Sequence, residues 1–356
     1  MAEWNIGTKS ENKVGQAQSK GRGNDPSSSA NRFDLAELAS HGSTRFVLTV
    51  DTEEEFDCSR PFSREVHGTT HLSKVPRFQG MCDDAGIKPV YLVDYPIAQD
   101  GFGAELLGGY ARSGRAEIGV QLHPWVNPPF DEEVSARNSF ACNLSPELER
   151  AKLTWLHAAI ISRMGARPDC YRAGRYGAGR HTPEILQELG IAIDTSVRAR
   201  FDYSHEGGPD YAQHPVNPYW ISRGSLLELP VTTVFGGGIR AVGNIVFGQW
   251  FESQAARSML ARSNMLERIA LTPEGIPVEK ALEGIDLALR EGVKVINLSF
   301  HSPSLAVGHT PYVRTEEQLE AFYAWFAEVF AHLEKSGVRP TTMAEIKAAS
   351  LFDLIA

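Results

Sequence analysis

"FVLTVDTEEEF", residues 46–56, carries an apolar strand without a break into a cluster of acidic side chains. Side chains alternate along a strand, so Val47, Thr49, Asp51 and Glu53 share one face and Phe46, Leu48 and Val50 the other. Asp51 and Glu53 therefore converge at the strand's C-terminal end. Two carboxylates so placed either ligate one cation together or divide the work, one holding metal while the other takes a proton from water. The competing reading is a solvated acidic loop, and Glu54 and Glu55 are assigned to such a charged rim.

Outward from this strand the chain alternates short apolar strands with amphipathic helices. A helical stretch near 71–85 leads to "KPVYLVDYP", a helix near 103–112 leads to "AEIGVQLHP", and Ser145 caps a long helix with Pro146 in its first turn. Leu153, Leu156, Ile160 and Met164 line one face of that helix, and Gly165 closes it. "PDCYRAG" reads as the next strand, "TPEILQELG" as a helix capped by Thr182, and "IAIDTSV" as another strand. A stripe of Val278, Leu282, Ile285 and Leu289 precedes the strand "GVKVINLSFHS". Thr315 and Gln318 then open a helix that runs to Gly337, and a short strand and a helix capped by Thr342 and Glu345 end the chain. This beat predicts an α/β fold with a mostly parallel sheet, a distorted (β/α) barrel of seven or eight strands over residues 44–356, with chemistry at the strand C-termini.

Two regions break the beat. Residues 1–43 are rich in Gly, Ser, Asn, Lys and Gln and predict a disordered arm, with "RFDLAELAS" (32–40) as a short docking helix. Residues 197–250 are rich in aromatics, Gly and Pro and predict an insertion of short antiparallel strands serving as a lid or substrate wall.

A net charge of -9 over 356 residues argues against nucleic-acid binding, since a phosphate backbone wants a basic face. Cys58, Cys82, Cys142 and Cys170 form no CxxC pair, which points away from a disulfide framework and toward a reducing compartment. The first 30 residues lack a secretory signal's apolar run, and no segment reads as a membrane span, so a cytoplasmic protein is expected.

Further candidates sit at the other strand ends. Gln121 and His123 share parity, and an imidazole there can ligate metal through one nitrogen while the other is oriented by an acceptor. Arg172 is placed to grip a carboxylate. Asp194 ends "AID", and Asn297, Ser299 and His301 share a face of the last long strand. For each residue singly, a structural ion pair or capped turn stands as the alternative.

Together, "TVDTEEEFD", "VYLVDYP", "QLHPWVNPP", "YRAGRYG" and "SFHSPSLAVGHTPYV" resemble the polysaccharide deacetylase (NodB-homology) superfamily, carbohydrate esterase family four. Within it they are similar to the WalW-like branch, associated with lipopolysaccharide and polysaccharide modification. The resemblance spans about residues 44–350 and implies metal-assisted removal of an N-acetyl or O-acetyl group from a sugar or saccharide precursor. It implies Asp51 as general base, Glu53 and His123 as ligands of a divalent ion, most simply zinc, Arg172 as the residue positioning the base, His301 as general acid and Asp194 as the carboxylate supporting it. Trp125 and Tyr176, with Tyr203, Tyr211, Tyr219 and Trp220 of the insertion, are candidates for stacking on sugar rings or for a loop mini-core.

The chain departs from the family pattern in two places. Thr52 follows Asp51 where a second aspartate is usual, and Asn127 stands where a second ligand histidine is usual. Gln121, Asn127, His301 or Asp51 is left to complete the ligand set. His67 and His71, four apart but before the second strand, are read as a surface loop. The rival functions are a catalytically silent saccharide-binding or assembly protein on the same barrel, and a hydrolase of another amide or ester.

Overall fold

The computed structural model describes residues 33–38, 42–56, 60–65, 67–243 and 265–355. The described residues contain twelve strands: β1 (Asp34–Leu35), β2 (Arg45–Thr52), β3 (Val90–Val93), β4 (Glu117–Leu122), β5 (Cys170–Ala173), β6 (Ile193–Asp194), β7 (Tyr219–Ser222), β8 (Leu226–Glu228), β9 (Thr233–Gly236), β10 (Glu267–Ala270), β11 (Val295–His301) and β12 (Arg339–Pro340). Ten of them form one sheet in the order β1-β7-β8-β6-β5-β4-β3-β2-β11, with β12 beside β2, while β9 and β10 pair separately. From β8 to β11 the neighbours are parallel, as alternating strand and helix require.

The helices are α1 (Val75–Asp84), α2 (Tyr95–Gln99), α3 (Gly101–Arg112), α4 (Pro146–Met164), α5 (Thr182–Glu188), α6 (Val278–Arg290), α7 (Glu316–Lys335) and α8 (Met343–Ile355). The α4 boundaries follow their local chemistry: the Ser145 hydroxyl accepts from Leu148 N, and Gly165 takes a left-handed φ of 66° that closes the last turn. In α5 the expected cap does not form, because the Thr182 hydroxyl accepts from Gly179 N and donates to Glu149, leaving His181 at the cap position. α6 buries Ala281, Gly284, Ile285, Leu287 and Ala288 rather than the full expected stripe, since small residues let it lie close to the sheet.

Both sheet faces are covered. Leu48, Val50, Tyr91, Val120 and Tyr171 pack under the helices, while Val47, Val90, Leu92, Cys170, Ile193 and Leu227 form an inner cluster sealed by Met343 and Ile346 of α8. Each such side chain contributes about 1.5–3 kcal/mol when fully buried. α8 thus closes the strand N-termini and leaves the C-terminal ends open for chemistry.

The expected barrel is not closed by a ladder among the described residues. Between β11 and β8 the gap is crossed by isolated bonds, Asn297 N to the Thr232 hydroxyl at 2.8 Å and Thr232 N to Asn297 O at 3.3 Å. β8 is three residues long and is followed by Leu229 and Pro230, and proline has no N–H with which to continue a ladder.

Residues 34–35, expected within a short helix, instead form an antiparallel edge strand on β7, with Ala36 and Leu38 buried beneath it; the sheet edge satisfies backbone groups that a short exposed helix would leave open. The rest of the predicted arm before Phe33, and the end of the insertion from residue 244, lie outside the described residues. Within the insertion, β7 and β8 are antiparallel, and β9 pairs antiparallel with β10. Cys82, Cys142 and Cys170 are free thiols. No helix among the described residues is long and apolar enough to cross a membrane.

Candidate active site

Register brings the strand ends together. His301 pairs with Asp51, Ser299 with Thr49, and Gln121 with Arg172, and in a parallel sheet such partners face the same side. Asp51, Glu53, Gln121, His123, Arg172, Ser299 and His301 all line one cavity, joined by Trp125, Tyr176 and the insertion residues 201–203, 205 and 206.

Arg172 is buried beneath this floor. Its guanidinium donates to Asp51 Oδ1, to the Ser299 and Thr49 hydroxyls at 2.9 Å each, and to Thr195 O at 3.1 Å. Asp51 is thereby pinned through one oxygen, and its Oδ2 lies 3.6 Å from His301 Nε2.

His301 is held from behind by a residue the sequence reading did not single out. Glu274 Oε2 lies 2.6 Å from His301 Nδ1, its Oε1 accepts from His301 N at 3.2 Å, and Ser304 donates to the same oxygen at 2.6 Å. Burial alone would lower the imidazole pKa, but Glu274, Glu53 and Asp51 overcome it and raise the value from 6.5 to about 10. The protonated imidazole is thereby favoured.

His123 is positioned from the face opposite Glu53. Its Nδ1 lies 2.7 Å from Glu54 Oε2, Trp125 Nε1 donates to Glu54 Oε1 at 2.9 Å, and Glu54 N donates to Asp94 Oδ2 at 2.7 Å. Glu54, expected on an exposed rim, is fully buried. A carboxylate on Nδ1 sets the tautomer and leaves Nε2 toward the cavity, 3.4 Å from Glu53 Oε2. Gly174 permits this packing, since a Cβ there would sit 2.4 Å from His123 Cδ2.

Two groups of acids could accept a metal ion. Glu54, Asp94 and His123 place three buried ligand atoms within 4.8 Å of one another, but both oxygens of each carboxylate already accept hydrogen bonds, Asp94 Oδ1 from Ile97 N at 2.9 Å. That set works as a brace. The cavity side offers Glu53 and His123 Nε2, beside Gln121, whose Nε2 donates to Glu53 Oε2 at 3.2 Å and whose Oε1 is buried without a hydrogen-bond partner. Burial pushes the Glu53 carboxyl up to about 8 against the pull of His301 and His123, the response of an acid whose charge lacks a full counterion. An imidazole nitrogen 3.4 Å from a buried carboxyl on the cavity floor presents two donors suited to a divalent ion.

The other sequence candidates divide. Asp194 does not join the cavity: it pairs in register with Tyr171, on the face opposite Arg172, and accepts from Ser196 N at 2.9 Å and the Ser196 hydroxyl at 2.5 Å. Glu274 takes the place beside His301 that was expected of it. Asn127 also turns away, donating to Pro128 O and Lys152 O. Trp125 is 3% exposed, with its ring stacked on His123 at 4.4 Å and against Phe62 at 4.7 Å, so its face is taken by protein. Tyr176 and Tyr203 stack at 5.8 Å on the cavity wall, whereas Tyr211, Tyr219 and Trp220 are core. His71 is buried rather than on a surface loop, bridging Glu55 at 3.0 Å and the Ser302 hydroxyl at 2.8 Å.

Solved structures similar to this chain include polysaccharide deacetylases. A provisionally assigned polysaccharide deacetylase from Mycobacterium smegmatis is 18% identical at a TM-score of 0.45, covering 85% of this chain and 93% of its own. A family 4 acetyl xylan esterase from Clostridium thermocellum, solved with a cobalt ion, is 14% identical at 0.41, covering 87% and 91%. A PuuE allantoinase is 14% identical at 0.46, covering 86% and 89%. No family model and no curated protein matches the chain.

Proposed function

We propose that this protein is a metal-assisted hydrolase of the polysaccharide deacetylase superfamily, removing an N-acetyl or O-acetyl group from a sugar or saccharide precursor. The observation that carries the reading is the pairing of an Arg172-pinned Asp51 with a Glu274-backed His301 on the same cavity floor as Glu53 and His123. Glu53 and His123 Nε2 would hold the divalent ion, with Gln121 Oε1 as a further donor. Such an ion, when bound, supplies Lewis acidity and a more acidic water. Zinc is the ion the family resemblance implies, and an oxygen-rich donor set also suits manganese or magnesium.

Asp51 takes the proton of the attacking water at Oδ2, since Oδ1 is occupied by Arg172. His301 gives its Nε2 proton to the departing amine or alcohol, which leaves poorly unless protonated. At 3.6 Å, Asp51 is close enough to restore that proton, so water's proton ends on the leaving group and acetate is released. Tyr176 and Tyr203 form a wall for an apolar sugar face. The cellular setting we favour is a cytoplasmic precursor of lipopolysaccharide or exopolysaccharide.

Acetate release from a panel of acetylated sugars tests the reaction, and Asp51→Asn and His301→Ala should each lower it at least about a hundredfold. Elemental analysis of chelator-free protein, with and without Glu53→Ala and His123→Ala, tests the ion. One observation favours the silent-binder alternative: Asn127, at the second-histidine position, faces away from the cavity. Wild-type protein without metal above background and without acetate release would decide for that alternative.

A further inference from the structure

Arginines line much of the cavity, and they differ in how their charge is met. Arg172 pairs with Asp51, and Arg175 with Glu206. Arg198 has no carboxylate within ion-pair distance among the described residues. Its Nη1 reaches the Tyr203 hydroxyl only at 3.4 Å, and its Nε is buried with no hydrogen-bond acceptor. The Tyr203 hydroxyl is neutral and offers its charge no counterion.

Arg198 lies over aromatic rings, its Cζ 4.0 Å from the Phe201 centroid and 5.4 Å from that of Tyr176. Arg268 also packs on Phe201, at 3.9 Å. Stacking fixes a guanidinium plane without neutralising it. Two cations on one ring repel each other, and a half-buried guanidinium with an unmet donor costs free energy unless an acceptor arrives from outside. Both arginines line the same cavity as Glu53 and His301.

We infer that Arg198, supported by Arg268, forms an oxyanion-binding subsite, and that the ligand is a saccharide bearing a carboxylate or phosphate as well as its acetylated group. The planar fork of Arg198 matches either anion. Stacked Tyr176 and Tyr203 take the sugar ring between the anion and the floor. The anion half of this inference stands on the arginines alone; the acetylated half rests on the deacetylase reading.

The test is calorimetric titration of the full chain with N-acetylglucosamine, its phosphate monoester and its uronic acid. At least one anionic sugar should bind about tenfold or more tightly than the neutral one, about 1.4 kcal/mol, with a preference that shrinks as salt is raised. Arg198→Gln should remove that preference and Arg198→Lys should keep part of it, charge without the fork. Preference for one anionic sugar over the other identifies the anion. Equal affinity for all three sugars, absence of binding by both anionic sugars, or an Arg198→Gln variant that folds and keeps the full preference overturns the subsite. Acetate release is measured in parallel: anion preference without acetate from any sugar defeats the deacetylase reading alone, and acetate release without anion preference defeats the subsite alone.

Discussion

Replacing Glu274 with glutamine keeps the shape of the side chain behind His301 and removes its charge. Three carboxylates lift the His301 pKa from 6.5 to about 10, Glu274 is the largest of them, and burial opposes all three. With that carboxylate gone and burial unchanged, the variant's imidazole should titrate lower, by on the order of a pH unit. The sign is fixed by linkage: a histidine raised in the folded state favours folding below its unfolded pKa, and that contribution fades as pH rises toward 10. Glu274→Gln should accordingly narrow the alkaline range over which both His301 protonation and stability persist. Nitrogen-15 NMR of the imidazole in metal-free protein reads the titration directly, without reliance on activity. An unchanged His301 titration in a folded variant would refute the assignment of Glu274 as the group that favours this histidine's protonated form.

Three further outcomes follow from the geometry. Glu54→Gln removes the carboxylate from His123 Nδ1 and should weaken divalent-ion affinity about 10–100-fold in a chelator competition. Gly174→Ala places a methyl 2.4 Å from His123 Cδ2 and should cost about 1–3 kcal/mol, seen as a melting temperature lower by several degrees. For Glu55, burial would raise the carboxyl, but its hydrogen bonds from His71 and Thr70 hold it down at about 2. Its stabilising contribution is therefore present above the ordinary carboxylate range and lost as pH falls toward 2, and Glu55→Gln should flatten the acid limb of a pH-melting curve in that window.

Strand parity made the floor legible. Asp51, Glu53, Gln121, His123, Arg172 and His301 follow from alternation along individual strands, and the structure gathers these residues in one cavity. Parity failed on Glu54 for a definite reason: it gives a side chain's face but not what covers that face, so an acid past the strand end reads as a charged rim. Parallel sheets are covered on both faces, so Glu54 is buried under helices and braces His123. Asp194 was misplaced because alternation within a strand carries no register between strands, and one residue of offset from Arg172 turns a side chain through the sheet. Glu274 lies in a turn, "LTPEGIP", whose proximity to His301 is purely tertiary. For Arg198, sequence shows the charge but not that it meets no carboxylate among the described residues. In the open sheet, local pattern marked the strands, but nothing local showed that the seam beside β11 would be crossed by single bonds.

That seam separates two inheritances. The residues proposed as acid, base and ion ligands sit in or just past the paired strands, where a shift in one residue disturbs its neighbours. The wall of Arg198, Phe201, Tyr203 and Arg268 comes from the loop beyond β6 and from β10, outside the parallel ladder. A lineage can therefore exchange the wall, and with it the choice of saccharide, while the hydrolytic apparatus stays in place, and laboratory evolution confined to residues 198–206 is the economical route to a new substrate.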